Sequence, residues 1–222
     1  MNNINAIKFL SEGTSQLILS LVKIGEPSNI SLEYSFNGAD WNEWYLSNLT
    51  INPGTALYIR GYNQSGFNYS NDDYYSFVIK GDKISCSGNI MSLIDYKNLP
   101  DVIPCNYCFS HLFSGCTSLT SAPELTATKL ADGCYYQMFS GCTSLTSAPE
   151  LPATELSEYC YSYMFKDCTS LTSAPELPAR GLAYSCYHRM FSGCTSLTSA
   201  PELPTNDFIY NYYFENLMVG LF

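Results

Sequence analysis

The stretch "CTSLTSAPEL" stands at residues 116–125, 142–151, 168–177 and 194–203, unchanged in four copies that follow one another every 26 residues. A period between about 20 and 50 residues is the mark of a repeat architecture. One such unit cannot bury its own apolar face, and stacking on a neighbour does so. An invariant position then becomes a column in space. The columns are Cys108, Cys134, Cys160 and Cys186; Cys116, Cys142, Cys168 and Cys194; and Leu119, Leu145, Leu171 and Leu197. Phe113, Phe139, Phe165 and Phe191 keep the same beat. A residue that fits its own copy once fits it at every level.

Inside a unit, "ELSEYCYSYMF" places Leu156, Cys160, Met164 and Phe165 on what reads as the stripe of a short helix. Gly115, Gly141 and Gly193 stand where a helix C-cap belongs, with Asp167 in the third copy. "SLTSA" reads as a very short parallel strand, ended by Pro123, Pro149, Pro175 and Pro201. Each unit is therefore predicted to be a short strand plus a short helix.

In two buried columns the cysteines behave as small hydrophobes. Disulfides along a column stay open as an alternative. Cys105 and Cys108 make one C-x2-C without a second pair or a ligand trio beside it, so no metal and no cofactor is expected. The columns of Glu124, Glu150, Glu176 and Glu202 form an acidic rim, which is either solvated or a weak cation site between units. Residues vary on one face only, as "YYQ", "YSY" and "YHR". Tyr136, Tyr163, His188 and Arg189 are the binding candidates there, with packing between helices as the alternative for the tyrosines.

Residues 1–98 show no repeat. "QLILSLVKI", "ISLEYSF", "WNEWYL", "TALYIRGY", "YYSFVIKG" and "NIMSLI" read as short strands, with "NGAD" a hairpin turn. An antiparallel β-sandwich or open barrel follows, with Trp41, Trp44, Tyr34, Tyr58 and Phe77 as its aromatic packing. The polar, aromatic stretch 61–75 reads as a loop, and "NLT", "NQS" and "NYS" match glycosylation sequons. The fold class expected is thus α+β with two domains: a β-sandwich over 1–98, then a solenoid of 26-residue units over 99–222. The last unit is degenerate, and its apolar "LMVGLF" suggests a cap or a contact between copies of the chain.

Charged residues make up 14 % of the chain and the formal net charge is -10, which argues against nucleic acid as a partner. Apolar runs are too short for a membrane span. The start, "MNNINAIKFLSEG", lacks the plan of a signal peptide. No nucleophile elbow, phosphate loop or carboxylate pair appears, so an enzyme is not expected.

The units resemble the BspA-like class of leucine-rich repeats. Phe139, Cys142, Leu145, Ala148 and Pro149 match its pattern. Phe165, Cys168, Leu171, Ala174 and Pro175 match in the next unit, and Phe191, Cys194, Leu197, Ala200 and Pro201 in the one after. The period is a little longer than the family's usual one, and Ala stands where Ile is common. The resemblance implies a leucine-rich-repeat solenoid in a surface or secreted protein that binds a protein or glycan on a cell surface. A small β-domain ahead of such an array resembles the layout of proteins from gut Bacteroides and their phages. A tail-associated or receptor-binding virion component is therefore the alternative. The family brings no catalytic residues.

Overall fold

A computed structural model describes residues 4–68 and 70–202. Alternation of buried and more exposed side chains marks five of the first eight strands. The eight are β1 (Ile7–Ser11), β2 (Leu17–Ile24), β3 (Leu32–Ser35), β4 (Asn42–Glu43), β5 (Leu49–Ile51), β6 (Ala56–Gly61), β7 (Tyr74–Lys80) and β8 (Ile84–Ser87). β2 shows the rule: Leu17, Leu19 and Leu21 are buried while Ile18 faces solvent. One sheet runs β4-β3-β6-β1-β8 and then β9 (Leu119–Ser121), and the other runs β5-β2-β7. All pairs are antiparallel except β8 with β9. The two sheets meet where Phe9 of β1 sets its edge on Phe77 of β7, with ring centroids 5.2 Å apart.

The expected hairpin forms at "NGAD". Asn37 Oδ1 accepts the N–H groups of Ala39 and Asp40, and Gly38 takes a φ of 74°. "NIMSLI" departs from expectation. Asn89 Oδ1 accepts the N–H of Met91 and opens a turn. The chain then winds into α1 (Ser92–Asp95), burying Met91, Leu93 and Ile94. The expected loop 61–75 is shorter, since Gly61 closes β6 and Tyr74 and Tyr75 open β7, and it is not an open one, since Phe67 and Asn68 are fully buried.

The α+β class, with a leucine-rich-repeat solenoid of strand-plus-helix units, is overturned. Among the described residues the chain is nearly all β and turn, α1 is its one α-helix, and the repeat units contain none. Backbone hydrogen bonding shows why. In the second unit the N–H groups of Tyr136, Met138, Ser140 and Cys142 donate three residues back, to Gly133, Tyr135, Gln137 and Phe139. The N–H groups between them, of Gly133, Tyr135, Gln137 and Phe139, donate to carbonyls of the next unit, at Glu158, Cys160, Ser162 and Met164. A helix keeps every N–H within itself; here half of them leave. Each unit is a ribbon of consecutive turns, bonded to the next unit in register. Every fourth residue closes a turn at positive φ: Gly133, Gln137 and Gly141, then Tyr159, Tyr163 and Asp167. The glycine column is left-handed as a C-cap would be, but it closes a turn ribbon. The predicted strand forms only once, as β9; in later units Thr146, Thr172 and Thr198 donate their N–H to the preceding threonine's carbonyl.

Identical side chains stack between units. The rings of Phe113, Phe139, Phe165 and Phe191 lie 5.4 to 5.7 Å apart and nearly parallel. Phe109, Tyr135, Tyr161 and Tyr187 form a second ring column. The Sγ of Cys142, Cys168 and Cys194 each donate to the carbonyl of the phenylalanine one unit back, at 3.0 to 3.1 Å. β7 stands where a preceding unit would. Phe77 N–H donates to Leu112 O, Phe77 O accepts from Cys116 Sγ, and its ring stacks on Phe113 at 5.1 Å. One continuous buried cluster runs from Ile7 to Leu197.

The degenerate last unit and "LMVGLF" lie outside the described residues, as does Leu203.

Candidate recognition ridge

Three of the four binding candidates are brought into contact. Tyr163 hydroxyl and His188 Nε2 share a hydrogen bond of 3.1 Å, and their rings meet edge to face at 5.1 Å. Tyr136 sets its ring against Tyr163 at 5.8 Å, and Gln137 Nε2 donates to its hydroxyl at 3.1 Å. Arg189 is exposed beside His188, with a φ of 50°. The line extends beyond the candidates. His111 meets Tyr136 at 5.6 Å and stacks on Tyr74 of β7 at 4.3 Å, while its Nε2 pairs with Asn71 Oδ1 at 3.0 Å. A zigzag of aromatic rings, Tyr74–His111–Tyr136–Tyr163–His188, thus crosses all four units. The tyrosines are not packed between helices, for no helices are there; they are half-buried on the edge of the turn ribbon.

The zigzag arises because the pattern on this edge recurs every second unit. Tyr107 and Tyr159 alternate in their column with Gly133 and Ser185. Ser110 and Ser162 alternate with Tyr136 and His188. A Cβ built on Gly133 would lie 2.4 Å from the ring of Tyr107, so the large side chain of one unit occupies the space left by the small one in the next. That alternation was readable in the sequence and would have brought in Tyr107, His111 and Gln137; Tyr74 and Asn71 join only through the contact of β7 with the first unit.

Burial raises the Tyr136 phenol above its ordinary value and lowers the His111 imidazole to about 4. His111 is therefore neutral at physiological pH and sits as a flat ring between Tyr74 and Tyr136.

The remaining site residues are placed as follows. Glu124, Glu150, Glu176 and Glu202 are all exposed, and among the described residues no three His, Cys, Asp or Glu side chains converge as metal ligands. Cys108, Cys134, Cys160, Cys186, Cys116, Cys142, Cys168 and Cys194 are buried and free, and Leu119, Leu145, Leu171 and Leu197 are buried with them. Burial pushes the thiols of Cys116, Cys134 and Cys194 up to about 12. Thr146, Thr172 and Thr198 spend their hydroxyls on the preceding threonine's carbonyl. Of the three sequons, Asn63 and Asn68 are buried and hydrogen-bonded, and Asn48 is exposed. Asp73 of the pair Asp72–Asp73 accepts the Glu26 N–H, which holds its carboxyl below the usual range.

No family model, curated protein or solved structure matches the chain. No helix among the described residues is long and apolar enough to cross a membrane.

Proposed function

We propose that the chain is a non-enzymatic recognition module that binds a protein or glycan on a cell surface through the ridge carrying Tyr136, Tyr163, His188 and Arg189. One observation carries the reading. The inward columns hold Cys, Met or Leu, Phe and Leu from unit to unit, whereas the side chains that differ between units collect along this edge. Packing accounts for the identity inside and for the alternation of large and small side chains on the edge; it gives no reason for His188 to stand in the column of Tyr136, or for Gln137, Tyr163 and Arg189 to follow His111 in the next. Half-buried tyrosines offer large contact area with few rotors to freeze, and Arg189 adds a planar donor fork beside them. The BspA-like sequence resemblance points to the same class of activity.

The test is a binding screen of the full chain against a glycan array and intact cells, repeated with Tyr163→Ala and Arg189→Glu. Aromatic and arginine anchors of an interface contribute about 2 kcal/mol or more each, so each substitution is expected to weaken retention about thirtyfold. Glu150→Gln, on the acidic rim, is expected to leave it unchanged. Retention that falls with Glu150→Gln and survives both ridge substitutions would overturn the assignment.

A further inference from the structure

Cys105 stands apart from the cysteine columns. Its counterparts in the following units are Ala131, Ser157 and Ala183, so the first unit alone carries a second thiol next to the Cys108 column. Residues 105–108 make a turn, with Tyr107 at a φ of 54°. A turn brings its first and fourth Cα within about 7 Å, close to the span a disulfide bridges. Both sulfurs lie against the same backbone point in the loop before β7. A Cβ built on Gly66 would be 2.1 Å from Cys105 Sγ and 3.4 Å from Cys108 Sγ. Cys105 is half-buried and Cys108 fully buried.

We propose that Cys105 and Cys108 form a redox-active dithiol that reacts with low-molecular-weight disulfides. Cys105 is the attacking thiol, because it is the one solvent reaches and because its thiolate is stabilised by a hydrogen bond from Cys108, which lowers it from its ordinary value. Cys108 is the resolving thiol, held protonated by burial until a sulfur electrophile arrives beside it. In the first step Cys105 Sγ attacks one sulfur of the small disulfide. A protein–S bond forms, the reagent's S–S bond breaks, and one small thiol departs with the proton that Cys105 gave up. In the second step Cys108 Sγ attacks Cys105 Sγ and gives its proton to the second small thiol, which leaves. Two protein thiols are oxidised and one small disulfide is reduced to two thiols. The reaction sits at the seam of the molecule. Cys105 Sγ donates to Asn68 O at 2.9 Å, and Asn68 in turn accepts the N–H of Tyr75 in β7 and donates to Ser110 O of the first unit. Oxidation removes the donor from Asn68 O at that joint.

The experiment equilibrates the native full-length protein with mixtures of oxidised and reduced glutathione, quenches with acid, alkylates the remaining thiols and maps the peptides by mass. One bond is expected, on a peptide that holds both Cys105 and Cys108 and has lost two hydrogens, while the other eight cysteines become alkylated only after unfolding. Cys108→Ser is expected to keep glutathione on Cys105, and Cys105→Ser to lose uptake altogether. Native protein that takes up no glutathione and forms no bond overturns the proposal. So does oxidation that pairs any of the other eight cysteines or leaves Cys105 alkylated; the wild-type map decides this even where a variant folds poorly.

Discussion

At Gly133 two physical demands meet on one residue. Its φ is +59°, a conformation that costs a side-chain-bearing residue about 1 kcal/mol or more. Its missing Cβ is also the space taken by the Tyr107 ring, 2.4 Å from where that carbon would be. Gly115 has the first demand without the second: its φ is +74°, and nothing lies within 4 Å of its Cβ position. The same column holds Asp167 at a φ of 59°, so an acidic side chain is already accommodated there. Gly133→Ala is expected to lower stability by about 2–4 kcal/mol, strain and overpacking together, and Gly115→Asp by about 1 kcal/mol or less. Urea denaturation of the two variants measures the difference. Equal losses would mean that the Tyr107 ring does not rest on Gly133.

At the scale of the element, the turn ribbon replaces a helix because the chain gains more by bonding to its own copy than by bonding within itself. The buried pairs Cys160–Tyr161 and Met164–Phe165, then Cys168, recur at four residues. A helix advances 3.6 residues per turn, so a repeat of four drifts by only about 40° per step and imitates a helical stripe over so short a run. Periodicity alone therefore put a helix where none forms. The inward residues were legible as the apolar columns of the repeat, because the stacked units bury the recurring Cys, Met, Phe and Leu and leave the equally constant Glu column exposed. The backbone path was not, because it depends on hydrogen bonds between residues a whole unit apart. The ridge was half legible: Tyr136, Tyr163, His188 and Arg189 stood out as variation, while His111 joins them through contacts with Tyr74 and Asn71, which lie in a part of the chain without the repeat. Leu171 tests the stacked interior. It is fully buried in the third unit, and Leu171→Ala is expected to cost about 2–5 kcal/mol through the cavity it leaves. Hydrogen exchange should then quicken first at the N–H of Thr172 and at the Thr198 N–H that donates to it. A loss under about 1 kcal/mol, or faster exchange confined to β1–β8, would count against a core shared between units.

For the whole molecule, the question is whether the strand-rich part and the turn ribbon unfold together. Repeat arrays often lose cooperativity along their length, since each unit touches only its neighbours. Here the first unit is continuous with a sheet. Phe77 supplies a backbone donor to Leu112, a carbonyl to Cys116 and a ring to Phe113, and its other neighbours are Phe9 and Trp44. β8 and β9 add a parallel pairing between the two parts, and Ile90 N–H donates to Glu124 O. Trp41 and Trp44, the chain's two tryptophans, report on the strand-rich part, and Cys142 and Cys168, buried and free, report on the ribbon. In a reducing buffer the change in tryptophan fluorescence and the onset of thiol reactivity are expected at the same urea concentration. Phe77→Ala removes the shared ring at a cost of about 3–5 kcal/mol, and it should divide that single transition in two, with the thiols reacting first. Two separate transitions in the unaltered chain would mean that the strand-rich part and the turn ribbon fold as independent bodies, and that the contacts of Phe77 contribute little to holding them together.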